Sequence, residues 1–134
     1  MEDIRPCLSR LDREQAFDIR RSVLCGELHL NREAAQDEDD ETATLAVLWR
    51  GEKPVGTGRV VHRGSYWVIE HVCVLPEQRR QGLGRALVDY LHAQSLRLGA
   101  PELVAVSPVA SSAFFARCGF AQVSAQSDLV LLKR

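Results

Sequence analysis

Apolar residues return at two different intervals along this chain, and the change falls at Pro76. Upstream, Thr42 to Arg50, Val55 to His62 and Tyr66 to Leu75 are rich in Val, Ile, Thr, Tyr and Trp and read as strands. Gly51-Glu52-Lys53-Pro54 and Arg63-Gly64-Ser65 supply the turns between them, so the three form an antiparallel meander. Gly56 and Gly58 interrupt the middle strand. Downstream, Leu83, Leu87, Leu91 and Leu98 recur at helical spacing with Ala86 and Tyr90 beside the stripe; Gly99 and Pro101 end that helix. Leu103 to Val106 reads as a strand that the helix allows to pair in parallel. Ala110 to Arg117 predicts a short helix stopped by Gly119, and Phe120 to Val123 with Leu129 to Leu132 a closing hairpin.

The N-terminal third is less regular. Ile4 to Leu8 is a short strand. Ser9 to Asp12 offers helix caps, and Ala16, Ile19 and Val23 then fall on one helical face, with Asp12, Arg13, Glu14 and Arg20 elsewhere and Gly26 ending or bending the helix. Glu27 to Glu41 has little periodicity and reads as a loop. Its acidic run, Asp37 to Glu41, is read first as a solvated surface, and second as a local field for a cationic substrate.

The order β-α-loop-β-β-β-α-β-α-β-β predicts an α/β fold of the mixed α+β kind. Its central sheet is mixed and mostly antiparallel, with helices on both faces. The 134 residues suit a single domain spanning 1–134. A net charge of -1 gives no basic excess for nucleic acid, and no apolar run is long enough for a membrane span. Cys7, Cys25, Cys73 and Cys118 form no zinc pattern with His29, His62 and His92, so no metal is expected. Widely spaced cysteines and a charged N-terminus point to a cytoplasmic setting.

The chemistry concentrates in Val72 to Arg85. A buried strand (Val72, Cys73, Val74) passes through a turn holding Arg79, Arg80, Gln81 and Gly82 into a helix that begins Leu83-Gly84-Arg85. Such a junction gathers free backbone N–H groups and the positive end of a helix dipole, a ready site for phosphate. Gly82 and Gly84 let a ligand approach the backbone, and the arginines add charge suited to phosphate oxygens. The loop is neither a dinucleotide-binding glycine fingerprint nor a P-loop.

Arg79-x-x-Gly82-x-Gly84 resembles the Gln/Arg-x-x-Gly-x-Gly/Ala signature of the GNAT family of N-acetyltransferases. Phe114-Phe115-x-x-x-Gly119-Phe120 resembles that family's Phe-Tyr-x-x-x-Gly-Phe helix, and Gly51 to Arg59 its second hairpin. The order of elements agrees over essentially the whole chain and is similar to the small ElaA/YjcF-like branch. The resemblance implies the GNAT acyl-CoA N-acyltransferase fold, with acetyl-CoA as cosubstrate and a small-molecule or peptide amine as acceptor. Val72, Cys73 and Val74 would face the pantetheine arm, and the amides from Arg79 to Arg85 would hold the pyrophosphate. A strand N–H would polarise the acetyl carbonyl. Ser111 and Phe115 are counted with the cofactor site: Ser111, with Ser112, to hold a water near the sulfur or else to cap the helix, and Phe115, with Phe114, as a packing residue. A homodimer built on the C-terminal strands is implied.

Transfer to an amine requires a proton to leave the nucleophile and one to reach the thiolate. Glu70 is the first candidate base and His71 the second. Strand alternation would put them on opposite faces, and an ion pair of Glu70 with Arg59 is the competing reading. Where many relatives carry an acidic tyrosine, this chain has Phe115. That keeps alive a second reading as a non-catalytic acyl-CoA-binding module.

Overall fold

The change of period at Pro76 is where the meander gives way to a crossover helix. A computed structural model describes residues 2–134. The strands are β1 (Glu2–Pro6), β2 (Thr44–Arg50), β3 (Lys53–Arg63), β4 (Tyr66–Val74), β5 (Val104–Pro108), β6 (Ala121–Gln126) and β7 (Leu129–Lys133). The helices are α1 (Arg10–Arg20), α2 (Leu83–Arg97) and α3 (Ser112–Arg117). One sheet of order β1-β2-β3-β4-β5-β7-β6 results, and β4–β5 is its only parallel pair among the described residues.

Helices cover both faces. Ala16, Ile19, Val23 and Leu24 pack on Val47 and Cys73 on one side. Val88 and Leu91 pack on Ala46, Val60 and Ile69, and Leu83 and Leu87 on Leu48 and Val55, on the other. The glycines that interrupt β3 explain how closely α2 approaches. A Cβ on Gly58 would stand 2.8 Å from Leu91 Cδ1, and one on Gly56 3.0 Å from Leu87 Cδ1. The buried stripe of α2 runs Leu83, Leu87, Leu91, Ser95; Leu98, expected to continue it, follows the last turn and is exposed.

Two N-terminal expectations need correction. Of the two roles read for Gly26, ending the helix fails: the coil widens into a π-helical segment over Arg21–Glu27, with the Leu28 N–H donating to Val23 O. The stretch to Glu41 then forms 3₁₀ turns at Arg32–Ala34 and Glu38–Glu41. Arg20 is not on a polar face but wholly buried, because a carboxylate from the acidic run comes in to meet it. No helix among the described residues is long and apolar enough to cross a membrane.

Candidate active site

The parallel pair β4–β5 is in ladder register at Val68↔Val104 alone among the described residues. From there the strands diverge, so the edge of β4 from Glu70 to Val74 is left open toward β5. A bulge stands at the mouth of this opening. Thr57 pairs with Cys73, but Arg59 pairs with Glu70, so two residues of β4 answer Gly58. His71 absorbs the extra residue at φ 56, a left-handed conformation. Side-chain parity shifts across it. Ile69 packs toward α2 and Glu70 pairs on the other side; beyond the bulge Val72 again packs toward α2 and Cys73 toward α1. The expected separation of Glu70 and His71 onto opposite faces therefore fails, because alternation holds only in an unbroken ladder. His71 shares the α1 side with Glu70, Arg20, Arg59 and Asp37, which set its charge environment.

That environment is an ionic network built from the acidic run. Asp40 is 2% exposed and takes Arg20 in a bidentate pair at 2.7 and 3.1 Å. Arg59, 1% exposed, reaches Asp37 at 2.7 and 3.0 Å and Asp40 at 2.8 Å, and its Nε reaches Glu70 Oε1 at 3.0 Å. Arg63 joins Glu70 Oε1 and Oε2, at 2.9 and 3.1 Å, to Asp39. Asp37 caps its own turn, and its N–H donates to Asp40. The run is thus solvated only in part: Asp40 is buried and Asp37 and Asp39 are half-buried, while Glu38 and Glu41 are exposed. Two buried guanidiniums need partners, and a short turn delivers carboxylates to them.

The charges settle accordingly. Burial works to raise the Glu70 pKa, but hydrogen bonds from Arg63 and Arg59 outweigh it and hold the carboxyl below the usual range. Asp40, against the same opposition from burial, is brought down to about 2 by Arg20, the Asp37 amide and Arg59. Burial, with Arg20 and Arg59 nearby, lowers His71 to about 4. Burial raises the Cys73 thiol to about 12, which leaves it a packing residue.

The glycine loop lies at the far end of β4. Arg80 and Gly82 take positive φ, 64 and 77. No side chain caps α2, whose first internal bond runs from the Ala86 N–H to Gly82 O at 3.1 Å. The amides of Leu83, Gly84 and Arg85 thus belong to the first turn, whose N–H groups lack helical acceptors. Around Gly82 a Cβ would meet nothing within 4 Å, so this side is open. Gly84 differs from expectation. Its bare Cα seats Phe114, whose Cε1 would lie 3.0 Å from a Cβ there.

The polar side chains of the loop divide. Arg79 donates from Nε to Val74 O at 2.9 Å and binds both Glu27 oxygens at 2.7 Å. Gln81 accepts from Arg50, which also reaches Gln78. Arg80 and Arg85 are exposed, Arg85 with only a loose 3.9 Å contact to Asp89.

A family model for the acetyltransferase (GNAT) domain matches residues 41–122. The chain belongs to the GNAT acetyltransferase family. It is 28% identical over 116 residues to the uncharacterized N-acetyltransferase YjcF of Bacillus subtilis, covering 87% of this chain and 83% of that one. Its fold is similar to that of Escherichia coli ElaA, with a TM-score of 0.83 at 15% identity and coverage of 100% and 99% of the two chains. It is also similar to that of the PaiA N-acetyltransferase of Thermoplasma acidophilum, solved with coenzyme A. There the TM-score is 0.81 at 13% identity, covering 100% and 98%.

Within this GNAT domain, Phe115 stacks edge-on with Phe114 and Phe120, at centroid distances of 5.2 and 5.4 Å, and packs against the core. Ser111 is exposed at the start of α3 and caps nothing; Ser112 instead donates to Val109 O at 2.8 Å. Sequence reasoning missed Arg20, Glu27 and Arg63. An arginine at helical spacing with Ala16 and Val23 was the available sign for Arg20. An open groove of about 710 Å³ between α1 and segment 32–41 also escaped it. That groove is walled by Arg10, Arg13 and Arg32 and by Glu33, Glu38 and Glu41.

Proposed function

We propose that this GNAT domain transfers the acetyl group of acetyl-CoA to a primary amine by direct attack of the amine on the thioester. The observation that carries the reading is the pairing of an opened β4 edge with an uncapped, arginine-flanked helix start at its end. The amides of Gly82 to Arg85, with Arg80 and Arg85, suit the pyrophosphate. The open edge at Val72 to Val74 suits the amide-bearing pantetheine arm, and a β4 N–H there can polarise the acetyl carbonyl as negative charge develops on its oxygen. That the PaiA relative was solved with coenzyme A supports the same ligand here.

The test is a thermal-shift titration with acetyl-CoA beside CoA and ADP. A ligand bound only by the folded state raises stability by about 2.7 kcal/mol at a hundredfold excess over Kd. A saturable shift with acetyl-CoA is expected, and none at millimolar ligand would remove the reading. Phe115, lacking the acidic hydroxyl, favours a second reading as a non-catalytic acyl-CoA-binding module. Acetylation of any primary amine excludes that alternative.

A further inference from the structure

His71 stands at the bulge beside the open β4 edge, where the acetyl-transfer reading brings the amine in, and its surroundings say which form of an amine that place accepts. Arg20 from α1, Arg59 from β3, Glu70 from β4 and Asp37 are the charged groups that act on it, and ion pairs extend that set to Asp40, Asp39 and Arg63. Each of these carboxylates already accepts from a guanidinium: Asp40 from Arg20 and Arg59, Asp37 from Arg59, Asp39 from Arg63, and Glu70 from both Arg59 and Arg63. An ammonium arriving here would have to displace an arginine held in bidentate geometry, which is costly for a buried pair. His71 reports the same field, since burial and the two nearest guanidiniums keep its imidazole neutral. The outer groove, with walls of both signs, does not select for a cation either.

Resting on the acetyl-transfer reading, we infer that the acceptor enters as the neutral amine, and that the substrate class is a weakly basic primary amine, the α-amino group of a peptide or amino acid rather than an alkylammonium such as a lysine side chain or polyamine. The step then balances without an enzyme base. The nitrogen lone pair forms the C–N bond, the C–S bond breaks with its electron pair on sulfur, and the proton shed by nitrogen neutralises the thiolate, directly or through water. Free CoA thiol and the acetamide result. Neither Glu70, saturated by two arginines, nor Phe115 is required to carry a proton.

Two peptides of one sequence separate the alternatives, one with a free N-terminus and no lysine, the other N-terminally blocked with one lysine. At pH 7 about one α-amino group in seven is neutral, against roughly one lysine in 2500. With the full-length protein and acetyl-CoA, kcat/KM for the α-amine should exceed that for lysine by at least about a hundredfold. The pH midpoint of kcat/KM should also move to lower pH when an aromatic amine replaces the peptide, because it follows the acceptor. Arg63→Gln, which frees a Glu70 oxygen, should narrow the preference several-fold. Lysine acetylated as fast as the α-amine, or one midpoint for both acceptors, would overturn the inference while leaving acetyl transfer intact. Acetyl-CoA binding with no amine acetylated, or no acetyl-CoA binding in the thermal-shift titration, would overturn both.

Discussion

Arg79 and Glu27, 52 residues apart in sequence, meet in a bidentate ion pair with both contacts at 2.7 Å, while Arg79 Nε holds the last carbonyl of β4. The arginine of the loop signature is therefore not free. It ties the π-helical end of the first helix to the strand that leads into the glycine loop.

Glu27 and a pyrophosphate would compete for one guanidinium, so Glu27→Gln should tighten CoA binding by about two- to fivefold at low salt, the gain shrinking as salt screens the charge. Calorimetric titration at two ionic strengths measures this. Weaker binding in the variant would show instead that the pair pre-organises the loop. Arg79→Gln, which loses the hold on Val74 O as well, should weaken binding in either case.

The two glycines of the loop do different work, and substitution separates them. Gly84→Ala sets a methyl 3.0 Å from Phe114 and should cost about 1–3 kcal/mol of stability through overpacking. Phe114→Leu in the same chain should recover much of that loss. Gly82→Ala meets no neighbour but must hold φ +77, at a cost of about 1–2 kcal/mol. Urea unfolding reads all three. A Gly82→Asp variant that stays folded is then the cleaner probe of phosphate binding, because Gly84 variants disturb the core at the same time.

Most of the frame was legible because it follows local period. The meander, the crossover helix and the glycine junction are each written in a few adjacent residues. What escaped depends on partners far apart in sequence. Arg20 looks like a surface residue until Asp40, twenty positions on, enters the core to meet it. Asp37 and Asp39 look solvated until Arg59 and Arg63 claim them. The bulge at His71 leaves no pattern, since a histidine can adopt φ 56 without any glycine to announce it. Gly84 was legible as special, but its reason lay thirty residues away in Phe114.

The buried pair of Arg20 and Asp40 should dominate single-site losses. Asp40→Asn leaves a wholly buried guanidinium short of charge and should cost about 3–5 kcal/mol, partly offset by the remaining contact of Arg20 with Ala34 O. Arg20→Met with Asp40→Leu, which removes both charges, should be milder than the Asp40 change alone, because it leaves only Arg59, which keeps Asp37 and Glu70, short of a partner. Urea midpoints of the two single variants and the pair give the coupling directly.

Acid should weaken the fold in two steps whose order follows from the two groups beside the bulge. Protonation of His71 is opposed in the folded state, where its pKa is about 4, but not in the unfolded chain at about 6.5. Between those values the unfolded state binds the extra proton, so stability is full above pH 6.5 and declines as pH falls toward 4. Asp40 has a folded pKa of about 2 against an unfolded value near 3.9, so its contribution is present above pH 4 and lost as pH falls toward 2. Each step is on the order of 1–3 kcal/mol. His71→Gln should remove the first decline and leave the second, while Asp40→Asn should keep the first and only shrink the second, which Glu70 and Asp37, also held low by arginines, share. A single loss below pH 4 in the unaltered protein, with an imidazole resonance of His71 titrating near 6.5, would mean that the guanidiniums of Arg20 and Arg59 do not govern the bulge.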